Sequence, residues 1–120
     1  MHPSHIRGRN GERFAERYFR QRGYQVIARN WHHPSLGELD LILRRGRLLI
    51  FVEVKTTGTA GINPVEQVDA AKEQRLYRLA EAFIAEHSWA AECYPRLDVV
   101  AVYQQGAHWE LVHYRDAVWG

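Results

Sequence analysis

An α/β fold in the order αβββαββ, a mixed sheet flanked by helices, follows from three features of the sequence. Apolar residues recur at three and four residue spacing near the N-terminus and again after residue 63. Apolar and β-branched runs fill the segments between and after these two stretches. A strand, a long helix and another strand in succession then imply a crossover that sets the last buried strand parallel to Leu48–Lys55.

Asn10 reads as the cap of the first helix, whose apolar residues are Phe14, Ala15, Tyr18 and Phe19, and Gly23 as its left-handed stop. Tyr24 to Asn30, with Val26 and Ile27 at its centre, is the first strand, followed by a turn-rich connection from Trp31 to Gly37. Leu39, Leu41 and Leu43 alternate with polar neighbours, and Leu48 to Lys55 follows the turn residues Arg44-Arg45-Gly46-Arg47, which makes a β-hairpin. Thr56 to Gly61 is a Gly/Thr loop without the Lys-Ser/Thr ending of a phosphate-binding P-loop. Asn63 as cap, Pro64 in the first turn and Glu66 three residues after the cap start the second helix. Its apolar stripe is Val68, Ala71, Leu76, Leu79, Ala80 and Phe83, running to about His87. Leu97 to Tyr103 and Trp109 to Tyr114 are the last two strands, joined by a turn over Gln104 to Ala107.

The 120 residues contain 46% hydrophobic and 25% charged side chains, ordinary for one globular domain and incompatible with disordered or collagen-like classes. We read residues 1–120 as a single domain without repeat or linker. Net charge is only +2, but residues 1–30 carry seven arginines against Glu12 and Glu16. Such a basic stretch either tracks phosphates or is a solvated helix face. The single cysteine, Cys93, cannot form an internal disulfide and reads as a buried inert thiol in a reducing compartment. No export signal or run of about 18 apolar residues is present, so a cytoplasmic, membrane-free protein is expected.

The hairpin carries the chemistry. With Gly46-Arg47 as the two central residues of a Gly-first turn, Arg45 faces Leu48 and Asp40 faces Glu53. The same register sets Glu38 opposite Lys55, and the two-residue period puts all four charges on one face. Like charges across an antiparallel pair destabilise it, so something must compensate. A divalent cation, Mg²⁺ or Mn²⁺, takes hard oxygen ligands and is commonly held by one or two carboxylates plus phosphate oxygens. Lys55 beside it could position or deprotonate an attacking water and stabilise phosphorane charge, which implies phosphodiester hydrolysis. The plainer alternative is an exposed hairpin face with a Glu38–Lys55 surface pair worth about 0.5 kcal/mol. The neighbours Leu39, Leu41, Ile42, Phe51, Val52 and Val54 all favour burial, which weighs towards the metal site.

Asp40, a twelve-residue spacer and Glu53-Val54-Lys55 resemble the PD-(D/E)XK signature of the restriction-endonuclease-like superfamily, whose core order αβββαβ matches the one above. Gly11-Glu12, Gly37-Glu38-Leu39-Asp40-Leu41-Ile42, Phe51-Val52-Glu53-Val54-Lys55, Lys72 and Arg96-Leu97-Asp98-Val99-Val100 together resemble the YraN-like family. These are small bacterial proteins related in fold to archaeal Holliday junction resolvases. The resemblance covers residues 8–103. It implies that Asp40, Glu53 and the Val54 carbonyl ligate Mg²⁺, that Lys55 assists the attacking water, and that Glu12 completes the site. Glu12 also has a bland reading, as an acid near a helix start. Leu39 stands where the motif has proline, and Thr57 where the family often has a basic residue.

Glu38, Lys72, Arg13 and Arg17 are the candidate substrate contacts, the arginines lying on the nucleic-acid backbone; Lys72 reads equally as a surface lysine. Asp98, in an apolar strand, reads as structural and paired with Arg96 or a helix end. Three functions fit these residues: an endonuclease hydrolysing DNA, branched or damaged substrates included; a nucleic-acid-binding module with a vestigial site; and a protein-interaction domain. Keeping Asp40, Glu53 and Lys55 together favours the first. Cutting two strands would be simplest for a two-fold dimer.

Overall fold

A computed structural model describes residues 3–57 and 70–116. Its elements are α1 (Pro3–Gln21), β1 (Gln25–His33), β2 (Gly37–Arg45), β3 (Leu48–Thr57), α2 (Ala70–Glu86), a 3₁₀ turn (Ser88–Glu92), β4 (Tyr94–Gln105) and β5 (His108–Tyr114). The five strands form one sheet in the order β1-β2-β3-β4-β5, antiparallel except for the β3–β4 pair. The expected αβββαββ mixed sheet with flanking helices is the observed one. The αβ connection after β3 makes β4 parallel to β3, as a crossover requires.

The two helices cover opposite faces. Phe19 and Ala15 of α1 bury Leu41, Leu43, Ile50, Val52, Val100 and Val102. Leu76, Leu79, Ala80 and Phe83 of α2 bury Leu39, Ile42, Leu49, Phe51, Leu97 and Val99. The central strands are therefore apolar on both sides, which is why Leu41-Ile42-Leu43 and Leu49-Ile50-Phe51-Val52 read as unbroken runs. Cys93 is buried beneath the 3₁₀ turn, as expected.

Gly23 ends α1 with φ +86°. Tyr24 N–H donates to Phe19 O at 3.1 Å and Gly23 N–H to Arg20 O at 3.1 Å, the paired bonds of a Schellman stop. Gly46, φ +61°, opens the two-residue turn of the β2–β3 hairpin and fixes the register at Arg45↔Leu48, as anticipated.

Several element bounds differ from the sequence expectation, β4 among them, which runs from Tyr94 to Gln105 and not only from Leu97 to Tyr103. The first helix begins at Pro3, a residue preset for a first turn, so Asn10 is an exposed mid-helix residue and not a cap. β1 runs on to His33, because Trp31 and His32 pair with Leu39 and Glu38. β3 continues through Thr56 and Thr57, which pair with Val102 and Tyr103 of β4. Ala71 is exposed and outside the α2 stripe. The Asn63-Pro64-Glu66 start signal, Val68 and the Gly58–Gly61 part of the expected loop lie outside the described residues. No described helix is long and apolar enough to cross a membrane.

Candidate metal centre

The β2–β3 ladder runs in register from Arg45↔Leu48 to Leu41↔Val52 and stops there. The next position on β2 is Asp40, and its Oδ2 accepts the backbone N–H of Val54 at 2.7 Å. On the other side of β2, the β1 ladder pairs Arg29 with Leu41 and Trp31 with Leu39 but passes over Asn30 and Asp40. Asn30 is left-handed, φ +47°, a conformation asparagine tolerates better than most residues. Leu39 packs beneath α2 while Leu41 packs beneath α1, so the two-residue alternation breaks at Asp40. This local irregularity re-aims one carboxylate at the sheet's opening edge.

The break corrects part of the sequence expectation. Glu38, Asp40, Glu53 and Lys55 do not form four regular rungs on one face, and Lys55 does not pair with Glu38. Glu38 is exposed and sits across from His32, still close enough to raise the pKa of Asp40. Lys55 Nζ instead lies 3.4 Å from Glu53 Oε1 on its own strand.

Lys72, from α2, makes the closer contact to that oxygen, 3.0 Å. The two lysines thus share one carboxylate. Burial and the nearby Lys72 push the pKa of Lys55 below the usual lysine value, against the pull of Glu53. Burial also opposes charge on Lys72, but contact with Lys55 and the Glu53 carboxylate hold its pKa above the usual value. Lys72 makes the shorter ion pair with Glu53 and Lys55 the longer one. With 30% of its side chain exposed against 18% for Lys72, Lys55 has the better access to solvent.

Asp40 carries the largest perturbation at the site. Burial and the Glu53 charge, with smaller effects from Glu12 and Glu38, push its pKa up to about 8 although the Val54 N–H opposes them. A carboxyl so placed gains from any cation that arrives.

Helix α1 brings Glu12 to the same opening, where its Oε2 accepts Asn30 Nδ2–H at 3.0 Å. Glu12, Asn30 and Asp40 line a cleft of about 740 Å³ together with Arg9, Arg13, Arg17, Arg20 and Arg29. Arg13 and Arg17 thus flank the acids, as the substrate contacts expected from the sequence would have to. Glu16 also lines the cleft and ties down Arg20 and Arg29. The helix approaches β3 this closely because of Gly11: a β-carbon there would overlap Thr56 Oγ1 and sit 3.1 and 3.2 Å from Thr56 Cβ and Cγ2. No rotation of the threonine relieves all three contacts. Gly11→Ala is therefore expected to destabilise the fold by about 1–2 kcal/mol, overpacking outweighing the gain in helix propensity. Thermal melting checks this, and adding Thr56→Ala should recover most of the loss.

The donor set fits a hard divalent cation. Asp40 and Glu53 supply carboxylate oxygens close enough to repel one another, and the cleft is open to water. No three His, Cys, Asp or Glu side chains converge into a cage among the described residues. A Mg²⁺ held by two carboxylates, waters and phosphate oxygens needs no such cage. Val54, whose carbonyl the resemblance offers as a further ligand, meets Asp40 through its N–H.

Asp98 stands apart and is structural. Buried at 1% exposure, it accepts Arg96 Nε–H and Nη2–H at 2.8 Å each and the Asp116 N–H at 2.9 Å, and lies 2.7 Å from His113 Nε2. Arg96 was expected. His113 was not, and no local pattern announces it, since fifteen residues separate the two. Asn30 and its bond to Glu12 were likewise absent from the sequence reading; the only signal was an asparagine, tolerant of the left-handed region, inside a strand.

The sequence profile of the family described as "Uncharacterised protein family UPF0102" matches residues 11–102. A "UPF0102 protein" of Nitratidesulfovibrio vulgaris strain DP4 is 40% identical over 115 residues, 94% of this chain and 84% of that protein. A "UPF0102 protein" of Syntrophotalea carbinolica is 41% identical over 111 residues, covering 92% and 89% of the two chains. One of Beutenbergia cavernae is 47% identical over 96 residues, covering 79% and 80%.

Proposed function

The chain belongs to the UPF0102 family, and for this member we propose a Mg²⁺- or Mn²⁺-dependent endonuclease that hydrolyses DNA phosphodiester bonds at the opening between β2 and β3. The observation that carries this reading is the half-buried Asp40 carboxyl, bonded to the Val54 N–H and within electrostatic reach of Glu53 where the β2–β3 ladder stops, with two lysines on Glu53. A structural role explains none of that cost: two acids repel across a hairpin whose ladder they interrupt. The PD-(D/E)XK resemblance of Asp40 and Glu53-Val54-Lys55 supports it further.

Asp40 and Glu53 would hold the metal, with Glu12 beside them. The bound cation would supply charge neutralisation and an acidified water. Lys55, with its depressed pKa, takes the proton from the attacking water. Lys72 stays charged and stabilises the negative charge that develops on the phosphorus oxygens. Arg13 and Arg17 hold neighbouring phosphates along the cleft.

The test is cleavage of linear, nicked, flapped and four-way-junction DNA with Mg²⁺ or Mn²⁺ against EDTA, with Lys55→Ala alongside. Metal-dependent cutting that falls by about 10²–10⁴-fold in Lys55→Ala is the expected result for a lost general base. Absent cutting on every substrate, with DNA binding intact, would overturn it in favour of a binding module, and cutting unchanged in EDTA would overturn the metal dependence.

A further inference from the structure

Four arginines gather at the end of the sheet remote from the candidate metal centre. Arg44, Arg45 and Arg47 lie in and beside the β2–β3 turn, and Arg22 ends α1 next to them. Each lies over an aromatic ring: Arg22 over Tyr18 at 3.7 Å, Arg45 over Tyr24 at 4.3 Å, Arg44 over Trp89 at 5.1 Å and Arg47 over Tyr94 at 5.3 Å. Each also gives one N–H to a backbone carbonyl: Arg22 to Tyr18, Arg44 to Gly46, Arg45 to Arg22 and Arg47 to Glu92. Among the described residues none of the four makes an ion pair. Arg20, Arg29 and Arg96, by contrast, are tied to carboxylates.

This arrangement is suited to a polyanion. A ring face and a carbonyl fix each guanidinium, so little side-chain entropy remains to be lost on binding. Arg22, Arg45 and Arg47 are exposed and Arg44 is half-buried, so N–H groups not used by the carbonyls are left for a ligand. A β-carbon on Gly46, at the tip, would meet no neighbouring atom.

The patch also continues the arginine-lined cleft. From Gly11, beside the metal centre, to Arg22 the helix rises about 16 Å. From Asp40 to Arg45 the strand covers about 17 Å, the axial length of about five base pairs. Arg13, Arg17 and Arg20 fill the interval along α1.

We propose that the Arg22–Arg44–Arg45–Arg47 end is a second nucleic-acid contact, which grips the sugar–phosphate backbone of the duplex running away from the candidate metal centre. It rests on the nucleic-acid reading above but assigns a surface that the reaction itself does not need.

The test measures fluorescence-anisotropy binding of a labelled blunt duplex longer than the molecule's 43 Å extent, in EDTA, across a salt series. The triple variant Arg44→Ala/Arg45→Ala/Arg47→Ala should weaken binding at least about tenfold at moderate salt and lower the log–log salt slope by about 2–3, roughly 0.9 per lost phosphate contact. The corresponding triple lysine variant should restore most of the slope, since it keeps the charge. Thermal melting confirms the fold of each, and Arg47→Glu alone, at the solvent-facing tip, tests the same prediction if the triple variant does not fold. Unchanged slope and affinity in folded hairpin variants, with weaker binding in Arg13→Ala/Arg17→Ala, would overturn this contact while leaving the nucleic-acid reading in place. No binding by the wild-type protein would overturn both. Binding to phosphatidylserine-containing vesicles, lost in the triple variant, with none to the duplex, would identify the patch as a membrane contact and also overturn the proposal.

Discussion

Asp40→Asn should abolish metal-dependent cleavage and, in the metal-free protein, raise the melting temperature. The two effects have one origin. Burial and the Glu53 carboxylate lift the Asp40 pKa from an ordinary 3.8 to about 8. A raised carboxyl pKa gives stability that is full below the unfolded value and lost as pH rises through the folded one, so the ionised group costs more and more between about pH 4 and 8. Asparagine keeps the shape and an oxygen for the Val54 N–H but carries no charge. At pH 8 the linkage makes the variant more stable by up to about 5 kcal/mol, well over 10 °C for a domain of this size. At pH 4 the difference should vanish. With metal the gap narrows: at a hundred times its dissociation constant a cation adds about 2.7 kcal/mol to the wild type and little to the variant. Losing a ligand worth several kcal/mol at the transition state lowers the rate by at least about 10³-fold. Equal melting temperatures at pH 8 would refute the charge assignment, and retained cleavage would refute the role of Asp40.

What could be read from the sequence was whatever one turn or one period decides. The Gly46 turn set the hairpin register, the apolar spacing of Phe14 to Phe19 set the face of α1, and the β-branched run after α2 gave the buried parallel strand. From these the approach of Asp40 to Glu53 could be anticipated. The break in β2 could not, because it is set where β1 and β2 leave Asn30 and Asp40 unpaired, a property of strand pairing that no local pattern shows. Extending the ladder past Leu41↔Val52 therefore gave a Glu38–Lys55 pair that the splayed strands do not make. The early start of α1 was hidden for a simpler reason: Asn10 is a good cap in isolation, but nothing local prevents a helix begun at Pro3 from passing through it. Lys72, which the sequence left open as a substrate contact or a surface lysine, contacts Glu53.

Removing Asp98 should cost more stability than the other substitutions above, because its buried carboxylate is the shared acceptor of Arg96 on β4 and the Asp116 N–H beyond β5 and lies beside His113 on β5. Arg96 reaches it from the same strand, His113 from β5 and the Asp116 N–H from just beyond; the far ring nitrogen of His113 lies 3.1 Å from the hydroxyl of Tyr18 on α1. Asp98→Ala leaves a guanidinium, an imidazole and a backbone N–H without their acceptor, a loss of about 3–5 kcal/mol out of a total near 5–15. Asp98→Asn keeps the volume but places an amide N–H where one of the donors must go, and should cost about half as much. Burial by itself would raise the Asp98 pKa, but His113, Arg96 and the Asp116 N–H together hold it below the ordinary value. A depressed carboxyl pKa gives stability that is present above the unfolded value and lost as pH falls through the folded one, so this contribution disappears below about pH 4. Asp40 has the opposite sign over the range just above. The metal-free protein should therefore be most stable in mildly acidic solution, its acid limb set by Asp98 and its decline towards pH 8 by Asp40. Melting curves across pH should show Asp98→Asn flattening only the first limb and Asp40→Asn only the second; a change in both limbs from either variant would mean that the two carboxylates are not independent.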